Sequence, residues 1–147
     1  MDWQSAVAAL PPTVLRLHHG RDPAVGLDCI GLVMFVCRRA GAPFDDLDVP
    51  YGVRDAVRPH RYREVERRLN TRFPRAPVDG DWRDGDILMI GDLRGGHLGV
   101  FVGGMIYQMT EKLLRDETGR LSPFVTAVWR AGAIQNYRQP ENRGEIS

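Results

Sequence analysis

Residues 26–39 read GLDCIGLVMFVCRR and decide the fold. Asp28 is a favoured helix N-cap residue, and Gly41 is a suitable helix stop. Residues 30–37 are apolar on every side of the predicted helix, apart from one glycine, and a helix that is apolar all round is a buried one. The stretch therefore predicts a buried helix that begins at Cys29 and around which the other elements pack.

Cys29 has two interpretations at this stage. In the first turn of a helix, free backbone N–H groups and the positive end of the dipole favour a thiolate, and the same groups can hold an oxyanion. A lone cysteine in an apolar helix is, however, commonly a small packed hydrophobic residue. Cys37, eight positions further along, is expected to be of that second kind. The helix by itself leaves both interpretations of Cys29 open.

Length and composition predict one globular domain. The chain has 147 residues, of which 43% are hydrophobic and 27% charged, and this balance is typical of a soluble domain with its own core. We expect a single domain at residues 1–138, followed by a polar tail at 139–147. The net charge of +1 argues against a nucleic-acid partner, and no apolar run is long enough for membrane insertion. The first residues lack the basic and apolar parts of a secretory signal, so synthesis in the cytoplasm is expected.

Periodicity divides the rest of the chain into helical and strand regions. It predicts short helices at residues 2–10 and 61–70, and loops at 42–59, 74–85 and 91–96. Strands are predicted at residues 86–90, 97–102, 105–110 and 124–130. The Arg-rich face of the second short helix also carries acidic residues, which favours a solvated face or a partner contact over a nucleic-acid site.

The two strands joined by Gly-Gly at 103–104 predict a hairpin. Counting outward from a two-residue turn pairs Gly99 with Gln108, and it makes His97 and Gln108 diagonal neighbours on one face, roughly 7–8 Å apart at the backbone. A histidine beside an amide that can fix its tautomer, together with Cys29, fits the arrangement of nucleophile, base and orienting residue. Two other interpretations stay open: Gln108 merely ends a strand, or a one-residue slip turns it to the other face.

Three motifs then indicate a family. Residues 28–33 read DCIGLV, 85–88 read GDIL and 97–103 read HLGVFVG. In sequence and in order, they resemble the Asp-Cys-x-Gly-Leu/Phe-Val, Gly-Asp-Leu and His-Val-Gly-Ile-Tyr-Ile-Gly motifs of the NlpC-type cell-wall cysteine peptidases. Residues 128–130, VWR, resemble a common final strand of that family. The resemblance implies an α+β, papain-like NlpC-type fold, in which a buried N-terminal Cys helix packs on a small antiparallel sheet.

The resemblance also implies roles for site residues. Cys29 is the implied nucleophile and His97 the implied base, while Gln108 takes the position of the third polar residue, most often His in the family. The implied activity is a cysteine peptidase that needs no cofactor and acts on peptidoglycan stem peptides, near the D-Glu–diaminopimelate bond or as an amidase. The order of Cys before His argues against the permuted acyltransferase relatives.

Four residues are candidates for substrate binding: Asp28, Leu15, His18 and His19. Leu15 occupies the region where many members have a Tyr whose hydroxyl reaches the active site, and either histidine is a possible substitute for it. Adjacent histidines on a loop rarely point at one ion, and no acidic or Cys cluster accompanies them, so no metal site is predicted.

Residues 19–23, HGRDP, are similar to a subgroup encoded among the tail genes of bacteriophages and gene transfer agents. This likeness implies tail hub or tail-tip proteins as partners, peptidoglycan as the substrate, and delivery on a phage-like tail to the periplasm and cell wall of a host. Such delivery would explain the lack of a signal sequence. The alternative function is a structural tail-tip adaptor that retains the peptidase fold with little or no activity, which Leu15 and Gln108 suggest.

Overall fold

The computed structural model describes residues 2–18, 20–42, 58–79, 81–92, 95–117 and 122–136. Within these ranges the helices are α1 (Trp3–Ala8), α2 (Cys29–Ala40) and α3 (Arg58–Arg72). The strands are β1 (Arg21–Asp22), β2 (Gly26–Leu27), β3 (Arg75–Ala76), β4 (Asp86–Asp92), β5 (Gly95–Val102), β6 (Met105–Met109), β7 (Leu113–Glu117) and β8 (Val125–Arg130). Two 3-10 turns, Ser122–Phe124 and Ala131–Asn136, flank β8.

Six of the described strands form one antiparallel sheet in the order β3-β8-β4-β5-β6-β7, and β1 and β2 form a separate antiparallel ribbon. Helix α2 packs against β5 and β6, and α1 packs against α2. The architecture is therefore α+β, as predicted. Among the described helices, none is long and apolar enough to cross a membrane.

Helix α2 begins and ends where its sequence predicted. Asp28 is the N-cap, and its carboxylate accepts a hydrogen bond of 2.7 Å from the backbone N–H of Gly31. Gly41 ends the helix in the left-handed conformation, with φ of 90°, which glycine adopts without a steric penalty. Between them, the buried side chains include Ile30, Leu32, Val33, Met34, Val36, Cys37 and Ala40. The prediction of a buried central helix is confirmed.

The predicted hairpin register is also confirmed. Gly103 and Gly104 both have positive φ, at 62° and 81°, as a two-residue hairpin turn that follows the strand twist requires. Val102 then pairs with Met105, and Gly99 with Gln108. The paired residues from Gly99 to Val102 and from Met105 to Gln108 therefore have the register that the counting assigned to them.

Both faces of the sheet carry apolar clusters. The face against α2 contributes Ile87, Met89, Leu98, Val100, Val102, Met109, Ala127 and Trp129 to the main core. The opposite face, which includes the His97 side of β5, has a smaller cluster of Leu88, Ile90, Ile106, Val125 and Val128. The space above Gly99 is taken by the side chains of Ile90 and Ile106, which a Cβ there would meet at 3.1 Å.

Residues of the motifs GDIL and VWR contact each other across β4 and β8. The buried carboxylate of Asp86 accepts bonds of 3.1 Å from both Nε and Nη2 of Arg130, and a bond of 2.9 Å from the backbone N–H of Arg83. Donation to the Asp86 carboxylate raises the pKa of Arg130 above its usual value. Beside this pair, Gly85 has φ of +92° and lies so close to the indole of Trp3 that a Cβ would be 2.4 Å from the ring. A core ion pair and a tight turn therefore account for these two motifs.

Several elements differ from the prediction. The predicted loop at 91–96 is largely strand, because β4 and β5 pair out to Asp92 and Gly95 despite the glycines in this stretch. Strand β7 was not predicted, since Leu-Leu-Arg-Asp-Glu has no strict alternation and its edge position requires none. Strand β3 lies inside a predicted loop, where it pairs with β8. Most of the predicted loop at 42–59, the domain limit at 138 and the tail at 139–147 lie outside the described residues.

Candidate active site

His97 and Gln108 form the centre of the candidate site. His97 lies on β5 and is half-buried, and Gln108 lies on β6 with 4% of its surface exposed. The two side chains are 2.5 Å apart between His97 Nε2 and Gln108 Oε1. An amide oxygen only accepts hydrogen bonds, so Nε2 carries the proton and donates it. The other ring nitrogen, Nδ1, is then the basic one.

A third polar side chain continues this chain of hydrogen bonds. Gln108 donates through Nε2 to Oδ2 of Asp116 on β7, over 2.7 Å. Sequence reasoning missed Asp116 because it missed β7. One weak signal could have found it. If a strand follows the turn after Thr110 and pairs with β6, it places Asp116 opposite Ile106, on the face that carries Gln108.

Cys29 is the first residue of α2 and is half-buried against the main core. The preceding residue, Asp28, is buried and forms an ion pair with Arg21, whose Nη1 lies 2.7 Å from Oδ1. The same Nη1 donates to the carbonyl oxygen of Gly20 at 3.0 Å. A cation thus lies close to the N-terminus of α2 and neutralises the carboxylate next to Cys29.

Three glycines let the chain pack closely around this helix start. A Cβ on Gly31 would lie 2.0 Å from the carbonyl oxygen of Gly20, and a Cβ on Gly20 would lie 2.3 Å from the carbonyl oxygen of Gly26. These distances are far inside van der Waals contact, so only glycine fits. The loop before Cys29 is consequently held directly against the first turn of α2.

Two isolated bridges connect the segment before Cys29 to the end of the sheet at which β6 finishes. Leu15 forms an isolated bridge with Lys112, and Arg16 forms one with Leu27. Lys112 follows Gln108 by four positions, and Leu27 precedes Cys29 by two. Residues 15–17 therefore connect the turn before Cys29 to the turn after β6. His97, near the start of β5, lies at this same end because β5 and β6 are antiparallel.

The candidates for substrate binding occupy different positions. The Asp28 carboxylate is buried and engaged by Gly31 and Arg21, so its visible role is to cap α2. Leu15 is 62% exposed, and His18 is exposed as well. His19 lies outside the described residues.

Cys37 differs from Cys29 in its surroundings. It is fully buried in α2, and desolvation raises the pKa of its thiol well above the usual value. Within the described ranges, no group of three or more His, Cys, Asp or Glu side chains is arranged to hold a metal ion.

Comparison with known proteins is informative about the fold. No protein-family model matches the chain, and no curated protein sequence matches it. Among solved structures, it is similar to the NlpC/p60 domain of peptidoglycan hydrolase SagA, with a TM-score of 0.55 and 17% sequence identity. The match covers 88% of this chain and 98% of that chain. The chain therefore has the α+β, papain-like fold of an NlpC/p60 domain.

Proposed function

We propose that this chain is an NlpC/p60-type cysteine peptidase that hydrolyses peptidoglycan. The observation that carries the proposal is the hydrogen bond of 2.5 Å from His97 to Gln108, at the end of the sheet that the segment before Cys29 reaches through the bridge of Leu15 to Lys112. Thiol-dependent acyl transfer needs a general base, here the polarised imidazole, and an activated nucleophile, here the thiol at a helix N-terminus. The shared fold with a domain of a peptidoglycan hydrolase supports the choice of substrate.

In the proposed reaction, the thiolate of Cys29 attacks the carbonyl carbon of a peptide bond and forms a tetrahedral oxyanion. The backbone N–H of Cys29 donates to that oxyanion. The proton that His97 took from the thiol passes from Nδ1 to the leaving amine, and the C–N bond breaks. Water then attacks the thioester while His97 accepts its proton, which releases the carboxylate and restores the thiol.

Gln108 has an orienting role in this scheme. By accepting from Nε2, it holds the imidazole in the tautomer whose Nδ1 is free to take and return the proton. It also stabilises the imidazolium that forms after proton transfer, though an amide does so less strongly than a carboxylate.

The test is digestion of purified sacculi that contain diaminopimelate, with product masses determined by mass spectrometry. Wild type is compared with Cys29→Ala, and Cys37→Ala is the matched control because Cys37 is buried in the same helix. Release of stem-peptide fragments by wild type and Cys37→Ala, but not by Cys29→Ala, supports the peptidase. Fragment masses also separate cleavage at the D-Glu–diaminopimelate bond, the proposed one, from amidase cleavage. Equal release by Cys29→Ala would refute the mechanism.

Delivery on a phage-like tail is a further part of the proposal and rests on the likeness of residues 19–23 to tail-encoded members. Mass spectrometry of purified particles from producing cells tests it, since a tail component co-purifies with particles through a density gradient. The adaptor alternative is favoured by three exposed apolar side chains around the turn before Cys29, namely Leu15, Leu17 and Val25. If particles assemble only with this chain, and Cys29→Ala particles are fully infective, the adaptor is the better description.

A further inference from the structure

Asp116 is hydrogen-bonded to Gln108, on the side away from His97, and lies outside the three sequence motifs. Strand β7 pairs with β6 so that Leu114 is opposite Gln108 and Asp116 is opposite Ile106. Residues directly opposite each other share a face, and so do residues two apart on one strand. Asp116 is therefore the diagonal neighbour of Gln108 on the face that carries His97, and the 2.7 Å bond from Gln108 Nε2 to Asp116 Oδ2 follows from this register.

The bond matters because an amide has two ends of nearly the same size. Turned by 180°, Gln108 would present its NH₂ group to His97, and Nε2 of the ring would have to be the unprotonated nitrogen. With 4% of Gln108 exposed, water contributes little to the choice between these orientations. An ionised carboxylate only accepts hydrogen bonds, so Asp116 favours the orientation in which Nε2 of Gln108 faces it and Oε1 faces His97.

We infer that Asp116 is a positioning residue that acts through Gln108 to hold His97 in its Nε2–H tautomer. The chain of bonds runs from His97 Nε2–H to Gln108 Oε1, and from Gln108 Nε2–H to Asp116 Oδ2. Each bond polarises the next in such a chain, so the charge of Asp116 also strengthens the amide as an acceptor. The expected effect on catalysis rests on the proposed function, whereas the expected effect on the tautomer of His97 does not.

The direct measurement is the tautomer of His97, from long-range ¹H–¹⁵N correlations of the imidazole at a pH where the ring is neutral. His97→Ala assigns its signals among those of the four histidines. Wild type is expected to show the Nε2–H form. Asp116→Asn is expected to show a mixture with the Nδ1–H form, because an asparagine accepts or donates equally well and no longer selects the amide orientation. Glu111→Gln, which removes one charge from the adjoining turn, is the control and is expected to match wild type.

An exchange of the two groups provides a rescue. In the double variant Gln108→Glu with Asp116→Asn, the amide at 116 donates to the carboxylate at 108, which again accepts from His97 Nε2–H. The double variant is expected to recover the Nε2–H tautomer. A merely structural role of Asp116 in joining β6 to β7 predicts no change of tautomer in Asp116→Asn. Wild-type spectra of His97 in a folded Asp116→Asn variant, or no recovery in the double variant, would overturn the inference.

Activity supplies a second, separable readout. If the peptidase is confirmed, Asp116→Asn is expected to reduce sacculus hydrolysis roughly tenfold or more, as weakened general-base catalysis does. In a Gln108→Met background the same change is expected to have no further effect, because the connecting amide is absent. Should wild type fail to digest sacculi while the tautomer responds as described, the proposed function fails and the role of Asp116 stands.

Discussion

Arg21 and Asp28 form an ion pair of 2.7 Å directly beside the start of the helix that carries Cys29. The carboxylate also caps α2 through Gly31, so one buried group joins the loop before the helix to its first turn. Arg21→Met keeps the apolar stem and removes the charge. We expect it to lower the free energy of unfolding by about 1–3 kcal/mol, since a buried acceptor loses a charged donor. Urea denaturation measures this loss.

The control for Arg21→Met is Arg63→Met, on the exposed face of α3. Its unfolding free energy is expected to stay within about 0.5 kcal/mol of wild type. If both variants lose the same stability, the ion pair at the start of α2 contributes nothing of its own.

Gly31→Ala is expected to destabilise the protein, opposite to the usual effect of this change in a helix. Ala normally gains roughly 0.5–1 kcal/mol over Gly in a helix interior. Here the new methyl group would lie 2.0 Å from the carbonyl oxygen of Gly20, and a backbone atom does not move aside cheaply. We expect a loss of about 3 kcal/mol or more, measured by thermal and urea unfolding. Gly104→Ala, with no atom within 4 Å, is the control and should cost only about 1–2 kcal/mol for its positive φ. A stable Gly31→Ala variant would mean that the loop at Gly20 does not pack as described.

The sequence predicted α2 and the β5–β6 hairpin because each depends on local rules. A cap at Asp28, a stop at Gly41 and a two-glycine turn determine the ends and the register without any other part of the chain. The bond between His97 and Gln108 follows from that register alone. Asp116 was missed because β7 is a strand only by pairing with β6, and this edge segment has no strict alternation that would indicate a strand. The position of Cys29 relative to the sheet depends on the bridges of Leu15 and Arg16, which are contacts between distant segments.

Arg130→Met is expected to be more damaging than Arg21→Met. The Asp86 carboxylate is fully buried, and two of its hydrogen bonds come from Arg130. Removing the cation leaves an uncompensated buried charge, and this typically costs about 3–5 kcal/mol. The double variant Asp86→Asn with Arg130→Met removes the charge as well, and we expect it to recover part of the loss in urea denaturation. If the double variant is no more stable than Arg130→Met, the buried charge of Asp86 is not the cause.

Iodoacetamide is expected to distinguish the two cysteines of the folded protein. Cys29 is half-buried at a helix N-terminus, whereas Cys37 is buried with a raised thiol pKa. We expect one alkylated residue per native chain, identified as Cys29 by peptide mass spectrometry, with reaction well below the ordinary thiol pKa of about 8.5. His97→Ala should shift the pH profile of this reaction upward, because the imidazole no longer accepts the thiol proton. Native labelling of Cys37 would contradict its burial, and an unchanged profile in His97→Ala would contradict the proposed pairing of Cys29 with His97.

Cys37 also predicts how stability changes at alkaline pH. Its thiol pKa is raised in the folded chain, because burial disfavours the thiolate, whereas in the unfolded chain it has the ordinary thiol value of about 8.5. Above that pH, the unfolded state loses a proton that the folded state keeps, so the unfolded state gains in stability. Above the unfolded pKa, the free energy of unfolding should therefore fall by about 1.4 kcal/mol per pH unit from this group alone. Below about pH 8.5 the thiol is protonated in both states, and its contribution to stability is fully present.

Urea denaturation between pH 8 and pH 10.5 of Cys29→Ala, and of the same protein with Cys37→Ala added, isolates this effect. Tyrosines and the lysine titrate in both proteins, so their contributions cancel in the difference between the two curves. Removing the sulfur lowers stability at every pH through the cavity it leaves, but only the loss of the thiol changes the slope. We expect the two curves to converge as the pH rises above about 8.5. Parallel curves would show that the thiol of Cys37 titrates alike in both states and is not buried in solution.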